Sequence, residues 1–316
     1  MKIVYVTGCL GFIGSYVTRS CLERGWRVYG VDKVTYAADL SLLDEFSSYD
    51  SFKFEQVDIR DLERLYDCDY VINVAAESHV GNSIINSDEF MNSNILGVKN
   101  LLDLIRFKPK NVSKQPTLLH FSTDEVYGDL ESGSHVESDP LKPSNPYSAA
   151  KAAADLLITA WARTYGINYV ILRPTNNYGI GQYPEKLIPL AVKNFNRGKK
   201  VRLHNNGTPV RNWLHAADTA GAVLSIIDSG ATDEVYNIAG GFEQTNMATV
   251  KKIIEEYYNV SDEWQQYVDF SYSREGQDIR YALDDTKLRK LGWTPVKNFD
   301  DEIGPIVEYY KNNFRW

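Results

Sequence analysis

The chain of 316 residues has little cysteine, little histidine and no long apolar run. Its three cysteines, Cys9, Cys21 and Cys68, form no CxxC pair and no metal-ligand spacing with the five histidines. That excludes a disulfide framework and gives no reason to expect a metal site. An odd, sparse set of thiols fits a reducing, cytosol-like compartment, so a cytoplasmic protein is expected. No apolar stretch approaches the roughly 18 residues that span a bilayer. The opening "MKIVYVTGCLGFIG" runs straight into structure without a signal-peptide pattern. Basic residues are not in excess: 34 Lys and Arg face 42 Asp and Glu, for a net charge of -8. A nucleic-acid partner is therefore not expected, because that usually needs a basic face. Linkers, repeats and low-complexity segments are absent too.

What is present is a mixed-charge, 43% hydrophobic chain long enough for a well-buried core. Six short apolar runs read as buried strands: 2–7, 27–32, 52–58, 70–76, 117–123 and 168–174. Segments of helical period, such as "FIGSYVTRSCLERG" and "SNILGVKNLLDLIRF", lie between most of them. This alternation predicts an α/β fold: a doubly wound parallel sheet of Rossmann type, covered on both faces. After about residue 175 Gly, Pro and Asn become frequent and the pieces shorten. We expect residues 1–175 to form the nucleotide-binding domain. Residues 176–316 should form a smaller substrate-binding region with some segments returning to the first, including helices at "TNMATVKKIIEEYY" and "DDEIGPIVEYYKNNF".

"TGCLGFIG" places Gly8, Gly11 and Gly14 directly after the first strand. Glycine tolerates positive φ and lets a ligand approach the backbone, and the following helix offers unpaired N–H groups to a pyrophosphate. A glycine triplet alone is a weak signal. Between a strand and a helix it reads as a dinucleotide site. Asp32 ends the second strand, where a carboxylate can accept ribose hydroxyls and repel a 2′-phosphate, favouring NAD over NADP. Lys33 follows it, and Asp58, ending the third strand, could meet the adenine edge.

"NPYSAAKAAADLL" puts Tyr147 and Lys151 four residues apart on a predicted helix, hence on one face. A free phenol, with a pKa of about 10, is a poor base; a neighbouring ammonium favours the phenolate. Such a pair can take a proton from a sugar hydroxyl while the carbon loses hydride. Just upstream, "FSTDEVYGD" sets Ser122, Thr123 and two adjacent carboxylates, Asp124 and Glu125, where a core strand ends.

With these motifs the chain resembles the extended short-chain dehydrogenase/reductase superfamily. "TDEVYG", "AAESHV", "RPTNNYG", "PEKLIP", "RNWLHAAD" and "YALDDTKLRKLGW" are similar to the sugar-nucleotide 4,6-dehydratases, closest to the dTDP-glucose 4,6-dehydratases, over essentially the whole chain. The resemblance implies NAD as cofactor, held by Gly8, Gly11, Phe12, Ile13, Gly14, Asp32, Lys33, Asp58 and Ile59. Ala75, Ala76, Ser78, Ser93, Tyr147, Lys151 and Asn177 would complete that site. It implies Thr123, Asp124, Glu125, Tyr147 and Lys151 as catalytic residues: Tyr147 the base at the C4 hydroxyl, Glu125 the base at C5, Asp124 the acid at the departing C6 hydroxyl. Elimination needs a base and an acid in close reach, and like charges held together keep one of them protonated. A nucleotide-sugar substrate is implied at Ser78, His79, Thr123, Asn176, Lys186, Leu187, Arg202, His204, Arg211, Asn246, Arg274 and Gln277. Arg211 and Arg274 would meet its phosphates, since the guanidinium fork fits them.

Three departures from the dTDP pattern leave the base, thymine or uracil, open. "SHVGNSI" carries Gly81 and Asn82 for the usual Asp and Arg, "GQD" carries Gln277 for His, and Arg202 and His204 stand where Pro and Tyr are usual. A His there resembles the UDP-glucose dehydratases. A nucleotide-sugar 4-epimerase or decarboxylase of the same fold is the competing enzyme, and a non-catalytic NAD-binding regulator the competing module. The superfamily further implies a homodimer through helices 87–106 and 146–165, in a four-helix contact.

Overall fold

The computed structural model describes residues 1–108, 115–272 and 278–314. The strands, in chain order, are β1 (Ile3–Thr7), β2 (Arg27–Asp32), β3 (Phe52–Gln56), β4 (Tyr70–Asn73), β5 (Thr117–Phe121), β6 (Tyr169–Pro174), β7 (Asn176–Tyr178), β8 (Val201–Arg202), β9 (Val210–His215), β10 (Glu234–Ile238), β11 (Phe242–Thr245) and β12 (Val268–Asp269). Seven of them form one sheet in the order β10-β6-β5-β4-β1-β2-β3, and every pairing in it is parallel. The fold is Rossmann-like, as the strand–helix alternation predicts.

Side chains alternate across this sheet as the pleat requires. On one face Val4, Val6, Leu119, Val170 and Leu172 pack with Val17, Cys21, Val223 and Ile227 from helices Phe12–Glu23 and Ala216–Ser229. On the other, Tyr5, Val71, Leu118 and Ile171 pack with Leu101, Ile105, Ala154 and Ile158 from helices Gly97–Arg106 and Pro146–Tyr165. A sheet buried on both faces explains why its strands read as apolar runs rather than alternating ones.

The chain leaves the sheet after Pro174 and returns at 216–238, where helix Ala216–Ser229 lies on helix Phe12–Glu23 and β10 pairs with β6. Among residues 176–314, helices Leu187–Asn196, Asn246–Tyr258 and Phe299–Asn312 share a separate core of Ile188, Val192, Phe195, Val250, Ile254, Ile303 and Val307. The small sheet β11-β9-β7 joins that core to the parallel sheet.

Three predicted strands stop short at their carboxyl ends. β3 ends at Gln56, β4 at Asn73 and β5 at Phe121. Residues 57–58, 74–76 and 122–123 instead turn out of the ladder and line a cleft at the carboxyl ends of the strands. That is where an open α/β sheet binds its ligand. The helix expected over 87–106 contains a π-helical turn at Asn92–Leu96, between Asp88–Met91 and Gly97–Arg106. π turns concentrate at functional sites, and this one faces the cleft through Ser93.

Candidate active site

At the head of β1 the chain turns through Gly8, whose φ is +68°. A Cβ on Gly8 would lie 2.8 Å from the Ala75 nitrogen, and one on Gly14 only 1.9 Å from the Gly8 carbonyl oxygen. Only glycine permits this approach of helix to strand. Helix Phe12–Glu23 begins at Gly11 with no side-chain cap. Its first N–H groups and its positive dipole end therefore face the cleft, fitting a pyrophosphate. Asp32 is buried at the end of β2, held by N–H donors from Leu10 at 3.0 Å and Val34 at 2.8 Å. Burial raises its pKa, and those two N–H groups oppose the shift. Each of its oxygens keeps a lone pair for a further donor.

Lys33 is already engaged. Its ammonium donates to Ser93 Oγ at 3.1 Å and lies 3.3 Å from Glu77, 3.8 Å from Glu89 and 3.9 Å from Asp58. A lysine shared by three carboxylates does not offer its charge to a 2′-phosphate, so the pocket fits NAD. Burial pushes Asp58 up, but Arg60, paired at 3.0 Å, holds it below the usual carboxylate range. Asn94, in the π turn, clasps the backbone of Glu77 with one bond each way, at 3.0 and 2.9 Å. This pins the loop after β4 that carries Ala75, Ala76 and Ser78 along the cleft.

The other end of the cleft is built from β5 and helix Pro146–Tyr165. Thr123 caps a short turn, Asp124–Tyr127, by accepting the Glu125 N–H at 3.3 Å, and this turn places the two carboxyls at the cleft wall. Thr123 Oγ1 donates to Asp124 Oδ1 at 3.1 Å, while Asp124 Oδ2 is buried without a hydrogen-bond partner. Burial first, and the Glu125 charge second, push Asp124 up to about 7. Glu125 is also raised by burial, against the pull of Asn145, Arg211 and Lys186. Asn145 donates to Glu125 Oε2 at 3.2 Å from a capping box that starts the helix carrying Tyr147 and Lys151. One helix terminus thus fixes the acid pair relative to the tyrosine.

Lys151, 2% exposed, donates to the Phe121 carbonyl at 2.5 Å and lies 3.4 Å from His120 Nε2. Burial lowers it to about 8, opposed by Asp155, which pairs with Arg173 at 3.0 Å. The phenol of Tyr147 is raised by burial and by Glu125 and Asp124, and a hydrogen bond with Thr123 opposes this. The expected lowering of Tyr147 by Lys151 is not seen here. The ammonium is turned to the carbonyl behind it, and burial, helped by two nearby carboxyls, dominates the phenol.

Every expected cofactor-side residue lines this one cleft, from Gly8 to Asn177, together with Thr123, Asp124, Glu125, Asn176 and Lys186. Lys186 reaches across it to the Ser78 carbonyl at 3.0 Å. Thr35, Tyr36, Glu77, Gln182, Tyr183 and Glu185 line it as well, though sequence reasoning passed over them. Six expected substrate residues stand outside its wall. His79 turns back to cap the helix Val80–Ile85, accepting the Asn82 N–H at 3.1 Å; Gly81 makes room, since a Cβ there would lie 3.0 Å from the ring. Arg211 gives its guanidinium to the carbonyls of Val210 and Asp278 and stacks over Tyr281, reaching the acid pair only by its charge. Arg202 and His204 are exposed and pack on Tyr272. Leu187 joins the C-terminal core, and Asn246 opens a helix. Arg274 and Gln277 lie outside the described residues.

The comparisons with known proteins agree with this geometry. Residues 5–304 match the family described as GDP-mannose 4,6 dehydratase. The dTDP-glucose 4,6-dehydratase of Neisseria meningitidis serogroup B is 39% identical over 100% of this chain and 95% of its own length. That of Escherichia coli is 37% identical over 100% of this chain and 95% of its own. Among solved structures, the dTDP-glucose 4,6-dehydratase of Streptomyces venezuelae with NAD bound superposes with a TM-score of 0.90 at 36% identity, covering 98% of this chain and 97% of that one. Arrangement and matches agree over nearly the full length, and the chain belongs to the GDP-mannose 4,6 dehydratase family, an NAD-dependent branch of the extended short-chain dehydrogenase/reductases.

Proposed function

We infer that this chain removes water from dTDP-glucose to give the 4-keto-6-deoxy sugar nucleotide, with Thr123, Asp124, Glu125, Tyr147 and Lys151 as its catalytic set. The observation that carries this reading is the pair at the end of β5: two adjacent carboxyls, Asp124 buried and raised to about 7 and Glu125 half-buried, on the same cleft wall as Tyr147 and Lys151. An epimerase of this fold needs the tyrosine but has no use for that pair.

NAD, when bound, supplies the two-electron acceptor that takes hydride from C4 and gives it back at C6. The glycine turn and Asp32 hold its pyrophosphate and ribose. Tyr147 takes the proton of the C4 hydroxyl; the Lys151 ammonium, turned to the Phe121 carbonyl, is proposed to favour the phenolate through the donor it keeps for the cleft. A protonated Asp124 removes one of the two carboxylate charges that oppose that phenolate, leaving burial and Glu125 against it. The C4 ketone then acidifies C5. Glu125 takes the C5 proton, Asp124 gives its own to the C6 hydroxyl, and the bond to C6 breaks with loss of water. Glu125 returns its proton to C5 when C6 is reduced, and the proton that Tyr147 took from the C4 hydroxyl passes to Asp124 before the next turnover, so the water that leaves carries the only net loss. Each proton transfer of this kind contributes roughly 10²–10⁴ in rate.

The choice of thymidine rests on full-length relatives such as those of Neisseria meningitidis and Escherichia coli, which are dTDP-glucose 4,6-dehydratases. Arg202, His204, Arg211, Arg274 and Gln277 are the side chains proposed to hold the nucleotide. A homodimer is proposed through the outer faces of the helical segments 87–106 and 146–165, where Leu96, at the end of the π turn, and Leu156 are exposed at 52% and 63%. Parallel incubations with dTDP-glucose and UDP-glucose, followed by the alkaline absorbance of the keto sugar, test the substrate. Signal with UDP-glucose alone would overturn the choice of base.

A further inference from the structure

His120 lies on β5, wholly buried, and the chemistry described above does not use it. It sits in a file of polar side chains that crosses the apolar sheet. Lys151 Nζ approaches its Nε2 at 3.4 Å, and Asn73 Nδ2 meets its Nδ1 at 2.9 Å. Asn73 Oδ1 in turn accepts from Thr7 Oγ1 at 2.6 Å, on the strand that leads into Gly8. Polar side chains on three adjacent strands, all less than 2% exposed, are costly unless they are satisfied.

We propose that His120 is a positioning residue for Lys151: its Nε2 accepts from the ammonium and holds it against the Phe121 carbonyl, while its Nδ1 pairs with the Asn73 amide, which can present either its oxygen or its nitrogen to the ring. This rests on the reading that Lys151 works as an ammonium.

The geometry makes tautomer and charge depend on each other. An ammonium has three donors and no acceptor, so it requires a bare Nε2. The ring proton must then sit on Nδ1 and face an acceptor. Asn73 supplies one when its amide presents Oδ1 to the ring and Nδ2 to Thr7, the reverse of the orientation drawn. An Nε2–H ring pairs only with a neutral amine. With two donors spent on Phe121 and His120, Lys151 keeps one for the cleft. Burial and Lys151 itself hold His120 well below its ordinary pKa, so the ring remains an uncharged acceptor. The other charges facing Lys151 are Asp155 from its own helix, backed by Arg173 of β6, and the acids after β5.

Two measurements on the NAD-loaded protein test this. In ¹⁵N-histidine-labelled wild type, His120, assigned by the loss of its signal in His120→Gln, should show an Nδ1–H ring at neutral pH and no imidazolium at pH of about 5.5. An Nε2–H ring or an imidazolium would overturn the proposal. This readout needs no turnover, so it stands even if neither sugar nucleotide is a substrate. In turnover, His120→Phe should move the alkaline limb of kcat down by about one pH unit with KM unchanged, because the ammonium loses an acceptor. His120→Gln, which places an oxygen where Nε2 was, should restore the limb; His120→Asn, which mimics Nδ1, should not. An unmoved limb in His120→Phe, or equal behaviour of Gln and Asn, would also overturn it.

Discussion

Asp124→Asn separates the cost of the acid from its use. The carboxyl is 4% exposed, and its pKa rises from 3.8 to about 7. Three units at about 1.4 kcal/mol each give roughly 4 kcal/mol that ionised Asp124 costs the folded state. The direction follows from linkage. A folded pKa above the unfolded one means the folded protein binds the extra proton, so stability is full below pH 3.8 and falls as pH rises to about 7. Above that both states are ionised and the loss is complete. Asparagine matches the shape of the protonated acid and carries no charge. The variant should therefore equal wild type in denaturant unfolding near pH 4. It should exceed it by up to about 4 kcal/mol at pH 8, measured at fixed NAD. Dehydration should meanwhile fall by roughly 10²–10⁴, since the proton for the leaving hydroxyl is gone. A stability difference that does not grow with pH, or a variant that still loses water at the wild-type rate, would refute the assignment.

Three further outcomes are expected. Glu125→Gln should still oxidise C4 but not eliminate, so reduced-nicotinamide absorbance should persist after mixing with substrate while water loss drops by roughly 10²–10⁴. It should also lower the pKa of Asp124, because the Glu125 charge helps to raise it. Gly14→Ala puts a Cβ 1.9 Å from the Gly8 carbonyl oxygen, and should cost about 1–3 kcal/mol of stability and weaken NAD binding in calorimetry. Leu156→Glu places a charge on the face proposed to meet a second copy, and light scattering should show the mass fall from twice 35.9 kDa to that of one chain.

What the sequence made legible was local. Gly8, Gly11 and Gly14 between a strand and a helix, Tyr147 and Lys151 one turn apart, and Asp124 beside Glu125 are short-range patterns whose geometry the backbone dictates. What it hid depends on partners far along the chain. Lys33 read only as the residue after Asp32, yet Asp58, Glu77 and Glu89 surround it from three other elements. Arg211 looked ready for a phosphate, and two backbone carbonyls hold it. His79 seemed to face the cleft, but Gly81, noted only as a departure, lets it fold back as a cap. Asn145 was findable, since Asn-Pro before an Ala-rich helix is a capping signal. Asn94 and the file from His120 to Thr7 gave no local signal, because such bonds form only once neighbouring strands and helices are in place.

The central claim is that one hexose is oxidised at C4, loses water across C5 and C6, and is reduced at C6 within a single site. The most direct test uses dTDP-glucose deuterated at C4, with the product read by mass spectrometry and proton NMR. The product should be lighter by one water and carry the deuterium at C6. A product with the mass of the substrate, or one lacking deuterium at C6, would contradict it.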